Sequence, residues 1–279
     1  MAEPLVWIVL LNFQNWQETL SCLDSLKNLE YTNHHIVVVD NASPNDSVKQ
    51  LRQAVPDLHL IESTKNLGFG GGCNLGIRAA LEAQAEYIWL LNTDTRVDPK
   101  ALEALVETAE RDPRVGGVGS VIYDFEPPDQ IQAWGGGKVN LWIGRSWPLR
   151  TPGLPDYLTG ASLLLRAEAL REVGLFDESF FFYWEDTDLS FRLKRAGWRL
   201  IVAENSIVWH KGGASLGGWG NNPSFDFYYN ASRVRFMKRW SPFPPLAILI
   251  GVTGFAVLRY KKPKFALTAL RGGWSGLFQ

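Results

Sequence analysis

Cysteine is nearly absent. Cys22 and Cys73 are the only two in 279 residues and form no CxxC pair, so neither a disulfide framework nor a thiolate zinc cage is expected. Charge of one sign is missing too. Lys and Arg together number 28 against 29 for Asp and Glu, a formal net charge of −1, which leaves no global basic field to hold nucleic acid. The start, Met-Ala-Glu-Pro followed by the apolar run Leu5–Leu11, lacks the basic residues and small-residue cleavage site of a secretory leader. It reads as a buried first strand, and a cytoplasmic protein is expected. The C-terminal apolar run Leu246–Leu258 is too short to cross a bilayer as a helix, which takes about 20 residues. No internal repeat occurs. The glycine-rich stretch Lys65–Gly76 matches neither GxGxxG with an acid at the proper spacing nor GxxxxGK[ST], which sets aside NAD-type and P-loop sites.

What is present is a globular composition, 46% hydrophobic and 20% charged, with twelve tryptophans. The length suits one large α/β domain with appendages, or two small domains. Strands are expected at Leu5–Leu11, His35–Val39, Leu58–Ile61, Tyr87–Leu91 and Val115–Tyr123, alternating with helical patterns such as Trp16, Leu20, Leu23 and Leu26. That alternation predicts a mostly parallel sheet flanked by helices. Between Asp124 and Pro155 the pattern dissolves into Pro, Gly and Trp, and a long irregular stretch is expected there. Order returns at Tyr157–Leu165 and Trp198–Val202. A glycine-rich segment, Gly212 to Gly220, follows His210. Phe225–Trp240 reads as a helix that precedes the C-terminal apolar run.

Ligands of an open parallel sheet bind outside the carboxyl ends of its strands. Asp40, Asn66 to Gly76 and Asn92-Thr-Asp94 all follow predicted strands and should gather on one edge. Asp94 offers a hard oxygen ligand for Mg²⁺ or Mn²⁺, although a lone strand-end Asp more often caps a turn or helix. The stretch Phe180–Gly197 carries an aromatic run that ends in Glu185, Asp186 and Asp188, then a short helical pattern stopping at Gly197. Three acids at a helix start can serve the macrodipole alone. A carboxylate against an aromatic wall has a raised proton affinity, which suits a general base.

The series Val37-Val-Val-Asp-Asn-Ala-Ser43, Asn66-Leu-Gly-Phe-Gly70, Leu90-Leu-Asn-Thr-Asp94, Thr159-Gly-Ala-Ser-Leu-Leu-Leu165, Gly174-Leu-Phe-Asp-Glu178 and Tyr183-Trp-Glu-Asp-Thr-Asp-Leu189 resembles family 2 glycosyltransferases over roughly residues 5 to 240. It looks most like the rhamnosyltransferase branch that builds bacterial surface polysaccharides. The resemblance implies a GT-A fold, a Mg²⁺ or Mn²⁺ ion and inversion at the anomeric carbon. It implies a nucleotide-sugar donor, dTDP-L-rhamnose first or else a UDP-sugar, and a glycan or polyprenyl-diphosphate-linked acceptor. Residues 1–123 would form the donor half, 124–240 the acceptor and catalytic half, and 241–279 a helical extension. Asp40 resembles the residue that reads the nucleoside. Asn12, Asn41, Asn66, Gly68, Phe69, Gly70, Asn74, Asn92 and Thr93 would border the donor, while Trp184 and Gly160 would meet the acceptor. Asp94 and His210 would hold the metal, Asp186 would be the base and Glu185 its acidic neighbour. One departure stands out: Asn92 replaces the first acid of the family's DxD motif and leaves one charge fewer. A nucleotidyltransferase and an inert nucleotide- or glycan-binding subunit are the competing readings.

The run Leu246–Leu258 can be ordinary core or a surface-lying element. Basic residues Arg233 to Arg239 precede it, and Arg259, Lys261, Lys262 and Lys264 follow. Basic flanks suit anionic headgroups and predict peripheral contact at the inner face of the cell membrane.

Overall fold

The computed structural model describes residues 3–212, 222–259 and 261–278. β1 (Val6–Asn12), α1 (Trp16–Leu26), β2 (His34–Asp40), α2 (Ser47–Ala54), β3 (His59–Glu62), α3 (Gly68–Glu82) and β4 (Tyr87–Leu91) form the first half as alternating units. β3-β2-β1-β4 pair in parallel. The sheet continues through β11 (Ser162–Arg166), β6 (Val115–Asp124), β12 (Arg199–His210) and β5 (Thr95–Val97). β11 is inserted antiparallel between β4 and β6, whereas β6 and β12 run parallel.

Both faces are covered, which is why the central strands read as continuous apolar runs. Side chains alternate along β4. Tyr87, Trp89 and Leu91 pack with α1 and with α4 (Ala101–Glu110). Ile88 and Leu90 point the other way, to α3, α5 (Ala167–Val173) and α6 (Glu185–Arg195). Leu189 and Leu193 bury the inner face of α6, worth about 1.5–3 kcal/mol each. A third, aromatic cluster joins α6 to α7 (Pro223–Trp240) and α8 (Pro244–Leu258) through Phe180, Trp184, Phe225, Phe236 and Met237. The last helix, α9 (Pro263–Phe278), lies against α7 and α8.

Several expectations need correction. The stretch from Asp124 to Pro155 is only partly irregular. β7 (Ile131–Trp134) pairs with β6, and β8 (Gly136–Asn140) pairs with β9 (Arg145–Pro148) and β10 (Tyr157–Leu158) in a small second sheet. These strands are two to five residues long and broken by glycine, too short for an alternating pattern to register. Directly after Asn92-Thr-Asp94 the chain forms β5, a strand that the sequence pattern does not show. The strand expected at Trp198–Val202 runs on to His210, past an irregularity between Ala203 and Ile207. Of the glycine-rich segment, the part beyond Gly212 lies outside the described residues. The C-terminal apolar run combines its two readings, with one face of α8 buried and the other exposed.

Candidate active site

The edge strands determine where the first group of polar residues meets. β12 lies between β6 and β5, and its register sets His210 opposite both Thr95 and Asp124. The 92–94 turn and the end of β7 are thereby brought to the same point. His210 Nε2 lies 3.2 Å from Asp94 Oδ1 and accepts from Asn92 Nδ2 at 3.2 Å. On the other side of the ring, Nδ1 is 2.7 Å from Gln132 Oε1. Gln132 Nε2 donates to Asp124 Oδ1 at 2.8 Å and to the His210 carbonyl oxygen at 3.2 Å. A carboxylate only accepts, so Asp124 settles which way the Gln132 amide faces, and Gln132 Oε1 in turn requires a proton on Nδ1. In the neutral ring Nε2 then carries the lone pair, which accepts from Asn92 and also faces the Asp94 carboxylate. A cation between Nε2 and Asp94 relieves that opposition.

The donor set fits a divalent ion that shares its remaining positions with phosphate oxygens. Among the described residues no group of three or more His, Cys, Asp or Glu could hold a metal by itself. Cys22 lies 3.5 Å from Thr95, and burial pushes its thiol up to about 12.

The second group comes from the start of α6. The chain enters that helix through two left-handed residues, Tyr183 at φ 68° and Trp184 at φ 70°, an arrangement that stores strain and clusters at functional sites. The three acids of the first turn then diverge. Asp188 is fully buried and accepts from Arg192 Nε, Arg239 Nη1 and Trp240 Nε1, each at 2.8 Å, which ties α6 to α7. Asp186 lines the cavity. Its Oδ2 accepts from the Gly160 N–H at 3.0 Å, and its Oδ1 from the Thr187 N–H at 2.6 Å and hydroxyl at 3.1 Å. Burial raises its proton affinity, and those donors oppose the rise. Glu185 is 5% exposed, and its Oε2 has no hydrogen-bond partner among the described residues. Burial, and then repulsion from Asp186, pushes this carboxyl well above its ordinary range.

A cavity of about 660 Å³ joins the two groups. Asn92, Asp94, His210 and Lys211 stand on one wall; Trp184, Glu185 and Asp186 stand on another. Phe69, Gly160, Tyr157, Trp147, Arg150 and Tyr229 are among the other residues that line it. The loop before α3 is held in place by Gly68, whose φ is +73° and whose Cβ would lie 2.0 Å from the Phe181 carbonyl oxygen.

Other expected donor residues brace the surrounding loops. Asn12 Nδ2 donates to Asp40 Oδ2 at 2.6 Å, and Ser43 donates to the same carboxylate through its N–H and hydroxyl. Asn41 accepts from the Leu67 N–H and donates to Asn66 Oδ1 and the Gly68 carbonyl oxygen. Asn74 ties α3 to Phe176 and Glu178. Thr93 is buried, and Gly70 packs against Phe176. Neither lines the cavity. Sequence reasoning missed Gln132, Asp124 and Tyr157. Asp124 at a strand end was the one available signal.

The chain's residues 7–173 match the model of "Glycosyl transferase family 2". The chain belongs to glycosyl transferase family 2. It is a glycosyltransferase with the GT-A fold. An N-acetylglucosaminyl-diphospho-decaprenol L-rhamnosyltransferase of Mycobacterium tuberculosis is 29% identical over 209 residues, 65% of this chain and 68% of the relative. Galactofuranosyltransferase GlfT1 of the same species is 29% identical over 202 residues, 69% of this chain and 65% of the relative. Two solved structures share the fold at low identity. A mannosyltransferase of Pyrobaculum calidifontis, in complex with GDP-Man and Mn²⁺, aligns at TM-score 0.61 and 19% identity over 98% of this chain and 74% of that one. GalNAc-T7 with UDP, GalNAc and Mn²⁺ aligns at TM-score 0.72 and 12% identity over 99% of this chain and 56% of that one.

Proposed function

We propose that this family 2 enzyme is an inverting, metal-dependent transferase that moves a sugar from a nucleoside diphosphate to a lipid-linked glycan in surface polysaccharide synthesis. The observation that carries the reading is the cavity itself, with the Asp94–His210 pair on one wall and Asp186 on another. The named rhamnosyltransferase relative supports dTDP-L-rhamnose as the first donor to test and a polyprenyl-diphosphate-linked acceptor.

The donor lies across the strand ends of residues 1–123. Its nucleoside sits over the loops that Asn12, Asp40 and Asn41 hold, and its diphosphate beside Asn92 and Asp94. Asp94 and His210 would hold Mn²⁺ or Mg²⁺, whose charge offsets that of the departing diphosphate. Imidazole nitrogen in the donor set favours Mn²⁺ over Mg²⁺. The acceptor enters from the 124–240 side, where Trp147, Trp184 and Tyr229 supply apolar faces for a sugar ring. Asp186 takes the acceptor hydroxyl's proton as that oxygen forms its bond to the anomeric carbon from the face opposite the leaving group. The carbon–oxygen bond to the diphosphate breaks in the same displacement, and the nucleoside diphosphate departs with the electron pair. One base suffices for this inversion. The Gly160 and Thr187 donors oppose the rise that burial gives Asp186, whereas Glu185, opposed only by a backbone hydrogen bond and raised further by repulsion from Asp186, holds its proton more tightly.

Asp186→Asn keeps the shape and removes the basic site. Affinity for UDP or dTDP with Mn²⁺, measured by calorimetry, should survive, while nucleoside diphosphate release falls by about 10²–10⁴. Glu185→Gln should cost less turnover. Near-normal turnover in Asp186→Asn combined with its loss in Glu185→Gln would assign the base to the other carboxylate.

A further inference from the structure

The last two helices pack inside out. α8 turns Ala247, Gly251, Val252 and Ala256 inward and leaves Leu246, Leu249, Ile250, Val257 and Leu258 exposed. α9 buries Ala269, Gly272, Gly273 and Gly276 and exposes Leu267, Leu270, Trp274, Leu277 and Phe278. The inward glycines are there for close approach. A Cβ at Gly272 would lie 2.1 Å from the Phe227 carbonyl oxygen, and one at Gly276 would lie 2.5 Å from that of Ala231. A helix pair facing water has the opposite arrangement, with large apolar residues inward and polar ones outward. Here Trp274 is 66% and Phe278 74% exposed.

The two outward faces adjoin, because Leu249, Leu277 and Lys238 line one shallow groove of about 440 Å³. Beside them, the turn between β8 and β9 packs against the inward residues of α8. Trp142 and Ile143 are exposed there, and a Cβ on Gly144 would lie 2.6 Å from the Ala247 carbonyl oxygen. The charge carried by these two helices and the link between them has one sign. No Asp or Glu follows Asp226 in the sequence, whereas Lys238, Lys261, Lys262, Lys264 and Arg271 are all exposed. Among the described residues no helix is long and apolar enough to cross a membrane.

We propose that α8, α9 and the Trp142–Ile143 turn form a platform that docks this enzyme in the plane of an anionic lipid surface. Apolar side chains enter the acyl boundary while the surrounding cations meet headgroup phosphates. A second copy of this chain is a poorer occupant, because pairing through this face would set its cations against the same cations. The platform also orients the cavity: β9 leads from the docked turn directly to Trp147 and Pro148 on the cavity wall. This last point rests on the lipid-linked acceptor proposed above. The docking itself does not.

The test is sedimentation of the full chain with vesicles of phosphatidylcholine alone or mixed with phosphatidylglycerol. Binding should favour the anionic vesicles and weaken with salt. Lys264→Gln and Arg271→Gln should each weaken it about fivefold. Leu249→Gln with Trp274→Gln should weaken it by about tenfold or more. These residues are exposed and lie away from the cavity, so turnover on a water-soluble acceptor should persist in every variant. Quenching of tryptophan emission by brominated lipid should drop in Trp274→Gln. Full recovery of the wild-type protein in the supernatant with anionic vesicles would overturn the platform, as would a stable dimer that Trp274→Gln dissociates. Normal soluble-acceptor turnover without vesicle binding would sink the docking and leave glycosyl transfer standing. Vesicle binding without any transfer would do the reverse.

Discussion

Gln132 is the residue whose replacement would most directly probe how the proposed metal pole is built. Gln132→Leu keeps the approximate volume and removes three hydrogen bonds: those to Asp124 Oδ1 at 2.8 Å and the His210 carbonyl oxygen at 3.2 Å, and that from His210 Nδ1 at 2.7 Å. The imidazole is then free to carry its proton on Nε2, which abolishes the lone pair that faces Asp94. Loss of an outer hydrogen-bond partner of a metal-binding histidine typically costs 10–100-fold in affinity, or about 1.4–2.8 kcal/mol. Stability should fall by only about 1 kcal/mol, the low end for an unpaired polar group, because Gln132 is half-buried and water can reach its former partners. The assay is calorimetric titration of Mn²⁺ into protein saturated with UDP or dTDP. His210→Ala should lose at least as much affinity as Gln132→Leu, and Asp94→Ala should abolish the metal-enhanced binding altogether. If Gln132→Leu binds Mn²⁺ within twofold of wild type while Asp94→Ala loses it, the tautomer is not set through Gln132. If His210→Ala also binds normally, the histidine is no ligand.

Two further outcomes concern the acids of α6. Asp188→Ala leaves Arg192 and Arg239 facing an empty buried position, so thermal or denaturant unfolding should show a loss of about 3–5 kcal/mol, with nucleotide affinity of the folded protein unchanged. Glu185 acts on stability in the opposite sense. Its folded proton affinity is raised by burial and by Asp186, so the native state binds the proton more strongly than the unfolded chain does. Its contribution is fully present below the unfolded carboxyl's titration and is lost as pH rises toward the folded value. Glu185→Gln should therefore flatten the decline of Tm with pH above the ordinary carboxylate range, and an unchanged slope would show that Glu185 is not buried as a coupled acid.

How much of this could be read in the sequence varies with the kind of order involved. The strands Val6–Asn12 and Tyr87–Leu91 are apolar on both faces and need no context to declare themselves, and strand-end placement then gathers Asn92 and Asp94 on one edge. α6 was legible for a different reason, since Leu189 and Leu193 mark its buried face and Gly197 its stop. The Asp124–Gln132–His210 chain was not. It depends on the register of three strands, one of them only four residues long, and Gln132 carries no sequence signal for a role exerted through another residue. The divergence of Asp186 and Asp188 follows from helical geometry alone, but what Asp188 meets on α7 does not. The exposed faces of α8 and α9 were half legible. Hydrophobicity identified the run, yet only packing reveals that its small residues point inward and its large ones outward.

α7 connects these observations. Tyr183 and Trp184 occupy left-handed backbone, at a cost of order 1–3 kcal/mol each, and Trp184 is held there by packing against Phe236 of α7 at a centroid distance of 4.9 Å. Tyr183 packs edge-on to Phe225 of the same helix at 4.7 Å. Four residues beyond Trp184, Asp188 is clamped by Arg239 and Trp240 at the end of α7. The first turn of α6 is thus held from one side by α7, which leaves Asp186 on the side of Gly160 and the cavity. The opposite flank of α7 supports α9 through the close contacts at Gly272 and Gly276. One 18-residue helix packs against both the α8–α9 face and the turn that carries the proposed base, so the C-terminal segment is not expected to be a removable appendage. Truncation after Trp240 should accordingly lower turnover on a water-soluble acceptor as well as vesicle binding, whereas the exposed-face substitutions, which leave α7 intact, should affect vesicle binding alone.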